Sequence, residues 1–353
     1  MPGTAPTSLR SIADRVEARL DELLTAERAR WVAFDPDLAH PVDEIRRLVL
    51  SGGKRLRPAF CHWGYVGAGG GTDDQVDVDA GAAFELMHAF ALFHDDVMDD
   101  AVTRRGQPTT HTLAAEEHAA NGWTGESRRF GEGVAILVGD LAFVYADRLM
   151  EGVTPEAIQI WNELRTELNI GQYLDILGSV QGIRDVDKAE RICRYKSGKY
   201  TIERPLHLGA VRAAPERQHE LLPALSAYGL PLGDAFQMRD DVMGAFGEES
   251  LTGKSVGGDI REGKPTPLLA RAVRRATPSQ LEVLDRVGAP GLDGHEVARI
   301  QQVIVDTGAL DELEDHITAL TEGAVLAIES APITEAAKHE LVALAEYVSW
   351  RSV

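Results

Sequence analysis

Apolar residues recur at helical spacing along most of the chain. Leu9, Ile12, Val16, Leu20 and Leu23 are separated by Arg, Asp and Glu, which predicts an amphipathic first helix with Ser8 as its N-cap. Residues 42–50 predict a short second helix ending at Ser51-Gly52-Gly53. Residues 67–79 are rich in Gly and Asp and read as a loop, as do residues 121–133 with four Gly. Between and after them, residues 79–97 and 134–150 are mostly apolar and predict helices, the former buried and central. Thr154-Pro155 is a start signal for a helix to about Leu177. Residues 187–208 and 221–246 predict two more, residues 248–263 a polar loop with four Gly, and the chain after Pro267 a set of amphipathic helices. Alternating strand runs, fixed-period repeats and a flexible linker are all missing from the pattern. The reading is therefore all-α: one domain over residues 1–353, about a dozen helices, with residues 1–8 flexible.

Composition narrows the partners. The 353 residues hold 56 Asp+Glu against 36 Lys+Arg, a net charge of −20, and 44% are apolar, enough for a core. Such an acidic chain repels nucleic acid and anionic lipid, so neither is expected as a partner. Two cysteines, Cys61 and Cys193, with no C-x-x-C pair, argue against a disulfide framework and a zinc site. The first nine residues lack an apolar h-region and no segment approaches a membrane span, so the expected location is cytoplasmic, without stable membrane insertion. Only seven of the basic residues are lysine. A GC-rich genome accounts for the ratio but not for the lysines' positions.

Candidate chemistry begins with Asp95-Asp96-Val97-Met98-Asp99-Asp100, at the end of the buried helix. Asp95 and Asp99, at i and i+4, share a face; their charges repel each other and oppose the C-terminal end of the helix dipole. Divalent cations between them remove both penalties, and an oxygen-only ligand set suits Mg²⁺. A solvated acidic helix end is the plain alternative, disfavoured by the apolar turns before it. Asp240-Asp241, with Gln237 and Arg239 just before, forms a second acidic helix end. The run Gly52-Gly53-Lys54-Arg55-Leu56-Arg57-Pro58 combines backbone freedom with three cations and suits an anion, although it lacks P-loop spacing. Further basic segments are Arg104-Arg105-Gly106, Lys196-Ser197-Gly198-Lys199, and Thr252-Gly253-Lys254 with Gly263-Lys264. Lys is a compact charge suited to phosphate oxygens.

These motifs, in order, are GGKRLRP, HDDVMDDAVTRRGQPT, GQYLD, YKSG, FQMRDD and GKSVGGDIREGKPT. Together they resemble the trans-isoprenyl diphosphate synthases, or polyprenyl synthetases, and within them the short-chain geranylgeranyl diphosphate synthases of actinobacteria. The resemblance implies a helical bundle around a central cavity, the type I isoprenoid synthase fold, and a homodimer. It implies condensation of isopentenyl diphosphate with an allylic diphosphate (dimethylallyl, geranyl or farnesyl), dependent on three Mg²⁺ ions. Asp95, Asp99, Asp175 and Asp240 would be metal ligands; Asp95, Asp96, Asp99, Asp240, Asp241 and Lys196 would form the catalytic set. Lys196, Lys254 and Arg104 would neutralise the allylic diphosphate, with Ser197 and Gln237 hydrogen-bonding nearby. Lys54, Arg57, His88 and Arg105 would hold isopentenyl diphosphate.

Two departures from the family pattern stand out. The second acidic motif, usually D-D-x-x-D, has Gly244 at its fifth position, for which Asp241 or Asp259 could compensate; a Lys-Thr pair is Lys196-Ser197. Phe90 lies five residues before Asp95, about 7.5 Å along a helix, and Ala91 follows it. That pairing resembles geranylgeranyl-forming members, with Phe90 as the floor of the product tunnel; ordinary core packing of Phe90 is the plain alternative. Farnesyl or longer polyprenyl synthesis is the other product reading. A class I terpene cyclase would not need GGKRLRP, and a regulatory subunit would not need the first aspartates. A di-iron site would need more than Glu85-x-x-His88 and Glu216-x-x-His219.

Overall fold

The computed structural model describes residues 5–104, 106–247 and 257–350. Among these residues the chain is helical, apart from one antiparallel pairing of two-residue strands, β1 (Thr103–Arg104) and β2 (Gln107–Pro108). The all-α expectation is borne out. Contacts group the chain into two compact units.

One unit comprises Thr7–His62 and Gly71–Thr154. It holds α1 (Thr7–Val32), α2 (Ala39–Leu50), the first turns of α3 (Leu56–Gly67), α4 (Gln75–Met98), α5 (Thr110–Ala120) and α6 (Ser127–Leu149). α1 buries Leu9, Ile12, Val16, Leu20 and Leu24, and Ser8 lies inside its first turn rather than capping it. Of the stretch expected to be flexible, residues 1–4 lie outside the described residues. α4 is buried through Ala80, Ala82, Ala83, Phe84, Leu86 and Met87, and packs against α1 and α6. Each large apolar side chain fully withdrawn from water there contributes roughly 1.5–3 kcal/mol.

Two expected loops are shorter than their composition suggested. Residues 75–79 form the start of α4 and residues 127–133 the start of α6. Polar and glycine-bearing first turns look like loop sequence, but the apolar turns that follow hold them helical. α3 and α5 were not anticipated. Pro58 sits at the third position of α3, where its missing N–H forfeits no intrahelical bond. α5 buries Thr110, His111, Ala114 and His118, which leaves no large-apolar periodicity to read.

The other unit comprises residues 63–70 and the chain from Pro155. It contains α7 (Pro155–Val180), α8 (Val186–Cys193), a π-helical segment (Arg194–Glu203), α9 (Arg204–Ala213) and α10 (Gln218–Phe246). The single helix read over residues 187–208 is thus three consecutive pieces. Helices Gly258–Glu262, Pro267–Arg275, Pro278–Leu284, Gly294–Asp306, Ala309–Glu329 and Glu335–Ser349 follow. Thr266 accepts a hydrogen bond from the Leu269 N–H, and Asp293 and Glu296 form a capping box. Met238, Ile260, Leu269, Leu284, Ile304 and Leu313 lie in one continuous core cluster. Of the loop read over residues 248–263, residues 248–256 lie outside the described residues and residues 258–262 are helical. Among the described residues, no helix is long and apolar enough to cross a membrane.

His207 on α9 is buried beneath this unit's polar network. Its Nε2 lies 3.1 Å from the Leu222 carbonyl oxygen and 3.0 Å from Ser226 Oγ, which donates to Glu203 at 2.7 Å. Burial pushes the imidazole down from 6.5 to about 4; the Glu203 charge opposes this and Arg204 adds to it. As pH falls from 6.5 towards 4, the unfolded chain takes up a proton that the folded chain refuses. Stability should therefore decline through that window, by about 3 kcal/mol from this residue. Urea unfolding across this pH range should show a shallower decline for His207→Gln than for the wild type; equal slopes would exclude the effect.

Candidate active site

The end of α4 sorts its aspartates by direction. At i, i+7 and i+11, His88, Asp95 and Asp99 fall on one face of α4. Asp95 is half-buried and Asp99, the C-cap, is exposed; the Asp99 N–H donates to the Asp95 carbonyl at 2.8 Å. Asp96 instead turns inward and is buried. Arg104, delivered by β1, donates from Nε at 2.7 Å and Nη2 at 2.6 Å to Asp96 Oδ1. Burial pushes the Asp96 carboxyl up, and Arg104 draws it part of the way back. Asp96 thus anchors the chain leaving the helix, apart from the half-buried Asp95 and the exposed Asp99. Arg105 lies outside the described residues.

The basic turn divides its cations in the same way. Gly52 at φ +92 and Gly53 at φ +154 bend the chain, and Arg55 itself is held at φ +48. Arg55 is buried: Nη1 binds Glu85, Nη2 binds the Val49 carbonyl, and Nε reaches Glu17 at 3.0 Å. Burial lowers its pKa, but Glu85 and Glu17 outweigh burial and raise it overall. Lys54 and Arg57, on either side, are half-buried. Glu85 is held by Arg55, and Glu216 lies exposed in the turn Pro215–Arg217.

In the other unit, the π-helical segment carries the lysine motif. π turns recur at functional sites because they re-aim side chains. A Cβ on Gly171 would lie 2.4 Å from the Lys196 backbone nitrogen, and one on Gly233 would lie 2.7 Å from the Gly198 carbonyl oxygen. These glycines let the segment lie directly on α7 and α10. Lys196 Nζ pairs with Asp175, one turn beyond Gly171, and Ser197 beside it is half-buried. Lys199 points elsewhere, to Glu167 at 2.5 Å and Glu203 at 3.5 Å, while Arg204 makes two bonds to Glu167 at 2.6 and 2.7 Å. Burial raises the Glu167 carboxyl, yet these two cations hold it below the usual range overall. Sequence reasoning assigned no role to Glu167, although its spacing with Gly171 and Asp175, i, i+4 and i+8, was readable as one face.

α10 ends in the second acidic motif. Asp240 is half-buried; Asp241 is buried, accepting from Gln237 Nε2 at 2.9 Å and facing Cys193 Sγ at 3.7 Å. Burial pushes the Asp241 carboxyl well up, and the Asp259 and Asp240 charges push the same way. Lys254 lies outside the described residues. Phe90 packs T-shaped on Phe143 of α6 at 4.9 Å and on His94 at 4.7 Å, with Ala91 half-buried beside it.

Among the described residues, no group of three or more His, Cys, Asp or Glu side chains is arranged to hold a metal. Carboxylates presented singly or in pairs fit Mg²⁺, which completes its shell with water and substrate phosphate oxygens.

The polyprenyl synthetase family profile matches residues 40–306. The structure is similar to a geranylgeranyl pyrophosphate synthase from Corynebacterium glutamicum complexed with isoprenyl diphosphate and magnesium, with a TM-score of 0.90 and 36% identity. That match covers 97% of this chain and 99% of the other. The sequence is 32% identical to a geranylfarnesyl diphosphate synthase from Aeropyrum pernix, over 84% of this chain and 89% of the relative. It is also 32% identical to the farnesyl diphosphate synthase of Escherichia coli, over 82% and 92%.

Proposed function

We propose geranylgeranyl diphosphate synthesis for this chain, which belongs to the polyprenyl synthetase family and is a trans-prenyltransferase. The observation that carries the reading is the sorting of charge at the motifs. Asp96 and Arg55 are turned inward onto ionic partners, while Asp95 and Asp99 share the other face of α4.

In the proposed reaction, isopentenyl diphosphate adds to an allylic diphosphate (dimethylallyl, geranyl or farnesyl). Asp95, Asp99, Asp175 and Asp240 would hold Mg²⁺, three ions in all, which when bound supplies Lewis-acid neutralisation of the diphosphate leaving group. Lys196 and Lys254 bind the same diphosphate, Lys196 exchanging Asp175 for phosphate oxygens. Arg104 adds the donors of its fork not directed at Asp96, and Ser197 and Gln237 hydrogen-bond alongside. The allylic C–O bond breaks and the electron pair leaves with pyrophosphate. Lys54, Arg57, His88 and Arg105 hold isopentenyl diphosphate so that its double bond attacks the allylic carbocation. A proton is then lost to the released pyrophosphate, leaving a chain five carbons longer. Asp241, which accepts from Gln237, would add its charge beside Asp240.

The ring pair of Phe90 and Phe143 supports a 20-carbon product: two aromatic side chains braced edge to face form a stiff floor. The relatives do not agree on length, since the named enzymes make geranylgeranyl, geranylfarnesyl and farnesyl products. A homodimer is supported by α6, which exposes Leu137 at 68% and Val144 at 51%, seven residues apart on one face, with Ile136 beside them.

Incubated with Mg²⁺, isopentenyl diphosphate and farnesyl diphosphate, the protein should make mainly the 20-carbon diphosphate, and Phe90→Ala should shift chromatographed products to longer chains. No turnover with any primer from 5 to 15 carbons would overturn the synthase reading; unchanged product length in the variant would remove Phe90 as the floor. Light scattering should give twice the chain mass for the wild type, with Leu137→Glu shifted towards a folded monomer. A monomeric wild type would contradict the dimer.

A further inference from the structure

Arg239 stands immediately before Asp240 on α10, and its guanidinium is committed to other helices of the same unit. Nη1 and Nη2 form a two-bond fork with Glu314 Oε1 and Oε2, at 2.6 and 2.5 Å, on the helix Ala309–Glu329. Nε donates at 2.8 Å to the carbonyl of Ser349, the last residue of the helix Glu335–Ser349. The guanidinium also lies over the Trp350 ring, 6.0 Å from its centroid. The final carbonyls of a helix have no intrahelical donor and sit at the negative end of its dipole, so a cation there is doubly favoured. The receiving end is itself fixed: Ser349 is fully buried, with Oγ 2.7 Å from Thr321 Oγ1.

The end of α10 needs such a tie. Pro231 lies inside the helix, upstream of Arg239. It offers no N–H to the Ala227 carbonyl and its ring crowds that oxygen, so the helical ladder is interrupted there. On either side of it Gly229 and Gly233 lie against the π-helical segment: a Cβ would come within 2.9 Å of Glu203 Cα and 2.7 Å of the Gly198 carbonyl oxygen. The turns that carry Gln237, Asp240 and Asp241 are thus joined to the rest of α10 through a weak point. Neighbouring residues on a helix are about 100° apart around its axis, so Arg239 can be anchored on one side while Asp240 points to another. Any rotation of these turns moves both.

We propose that Arg239 is a positioning residue for the reaction: clasped to Glu314 and to the end of the helix Glu335–Ser349, it fixes the rotation of the last turns of α10 and so the direction in which Asp240 meets a Mg²⁺-bound diphosphate. The proposal rests on the reading of Asp240 as a Mg²⁺ ligand. Arg239 touches neither metal nor substrate; it acts through its neighbour. By this route the helix Glu335–Ser349, remote in sequence from every motif, bears on the allylic diphosphate site.

The test combines calorimetric titration with Mg²⁺ and pyrophosphate, thermal unfolding and steady-state kinetics. Arg239→Gln should weaken Mg²⁺-dependent pyrophosphate binding about tenfold, the scale for losing a residue that supports a metal ligand. Its KM for the allylic diphosphate should rise while that for isopentenyl diphosphate stays unchanged, because the residues proposed to hold the latter belong to the other unit. Arg239→Lys keeps the charge without the fork and should recover part of the affinity. Glu314→Gln should act in the same direction, and combining it with Arg239→Gln should cost no more than Arg239→Gln alone. Tyr228→Phe controls for stability: it removes the 2.7 Å bond from Tyr228 Oη to the Leu341 carbonyl, which also ties α10 to the helix Glu335–Ser349, but ahead of Pro231. That variant should unfold at a lower temperature yet bind pyrophosphate as the wild type does. A folded Arg239→Gln protein with wild-type affinity overturns the proposal, as does equal weakening by Tyr228→Phe or an equal rise in both KM values. If Arg239→Gln does not fold, Arg239→Lys and Glu314→Gln decide, and wild-type affinity in both overturns it. A wild type that binds no pyrophosphate with Mg²⁺ overturns the reading of Asp240 itself, a different outcome from wild-type binding that Arg239→Gln leaves unchanged.

Discussion

A charge drawn into a helical interior must bring its counter-charge with it. Removing one partner of a buried ion pair costs about 3–5 kcal/mol, because the other is left uncompensated. This protein meets that constraint repeatedly. Arg55 is enclosed by Glu17 and Glu85; Lys199 and Arg204 share Glu167; Arg104 closes on Asp96; Arg194 closes on Asp234. The pairings of Arg55, Arg104–Asp96 and Lys199 each consume a residue from a segment that looks uniformly functional, and by doing so define which neighbours are directed elsewhere. In GGKRLRP the arginine between Lys54 and Arg57 is structural. In the first acidic motif Asp96 is the aspartate paired with Arg104. In the lysine motif Lys199 is structural and Lys196 reaches Asp175.

The same constraint explains the π-helical segment. Lys199 and Arg204 can meet Glu167 only if the segment lies hard against α7, and Gly171 removes the side chain that would prevent it. The contact joins two motifs distant in sequence, GQYLD and YKSG, into one piece of structure. Lys196 and Asp175 are thereby fixed opposite each other. Paired, they neutralise each other; offered a diphosphate and Mg²⁺, each has a stronger partner of the sign it needs.

Much of this was legible from sequence, for identifiable reasons. The apolar run of α4 announced a buried helix, and aspartates four residues apart at its end announced oxygen ligands. The ordered motifs announced the family. Directions were less legible. Nothing local marks Asp96, rather than Asp95, as the residue that turns inward; the Arg104 contact decides it. α5 escaped notice because it buries Thr110, His111, Ala114 and His118 instead of large apolar residues. At Gly244 the sequence offers Asp241 or Asp259 as compensation without choosing between them; that the Asp259 carboxylate lies directly against position 244 is visible only in the fold.

Buried ion pairs hold the scaffold, and the proposed reaction requires the Lys196–Asp175 pair to open to substrate. A crystal structure with Mg²⁺ and pyrophosphate bound tests it most directly. The account predicts that Lys196 Nζ leaves Asp175 for a pyrophosphate oxygen, while Arg55, Lys199 and Arg204 keep the carboxylates they hold here. A Lys196–Asp175 pair intact beside bound pyrophosphate, or Arg55 turned onto the ligand, would contradict it.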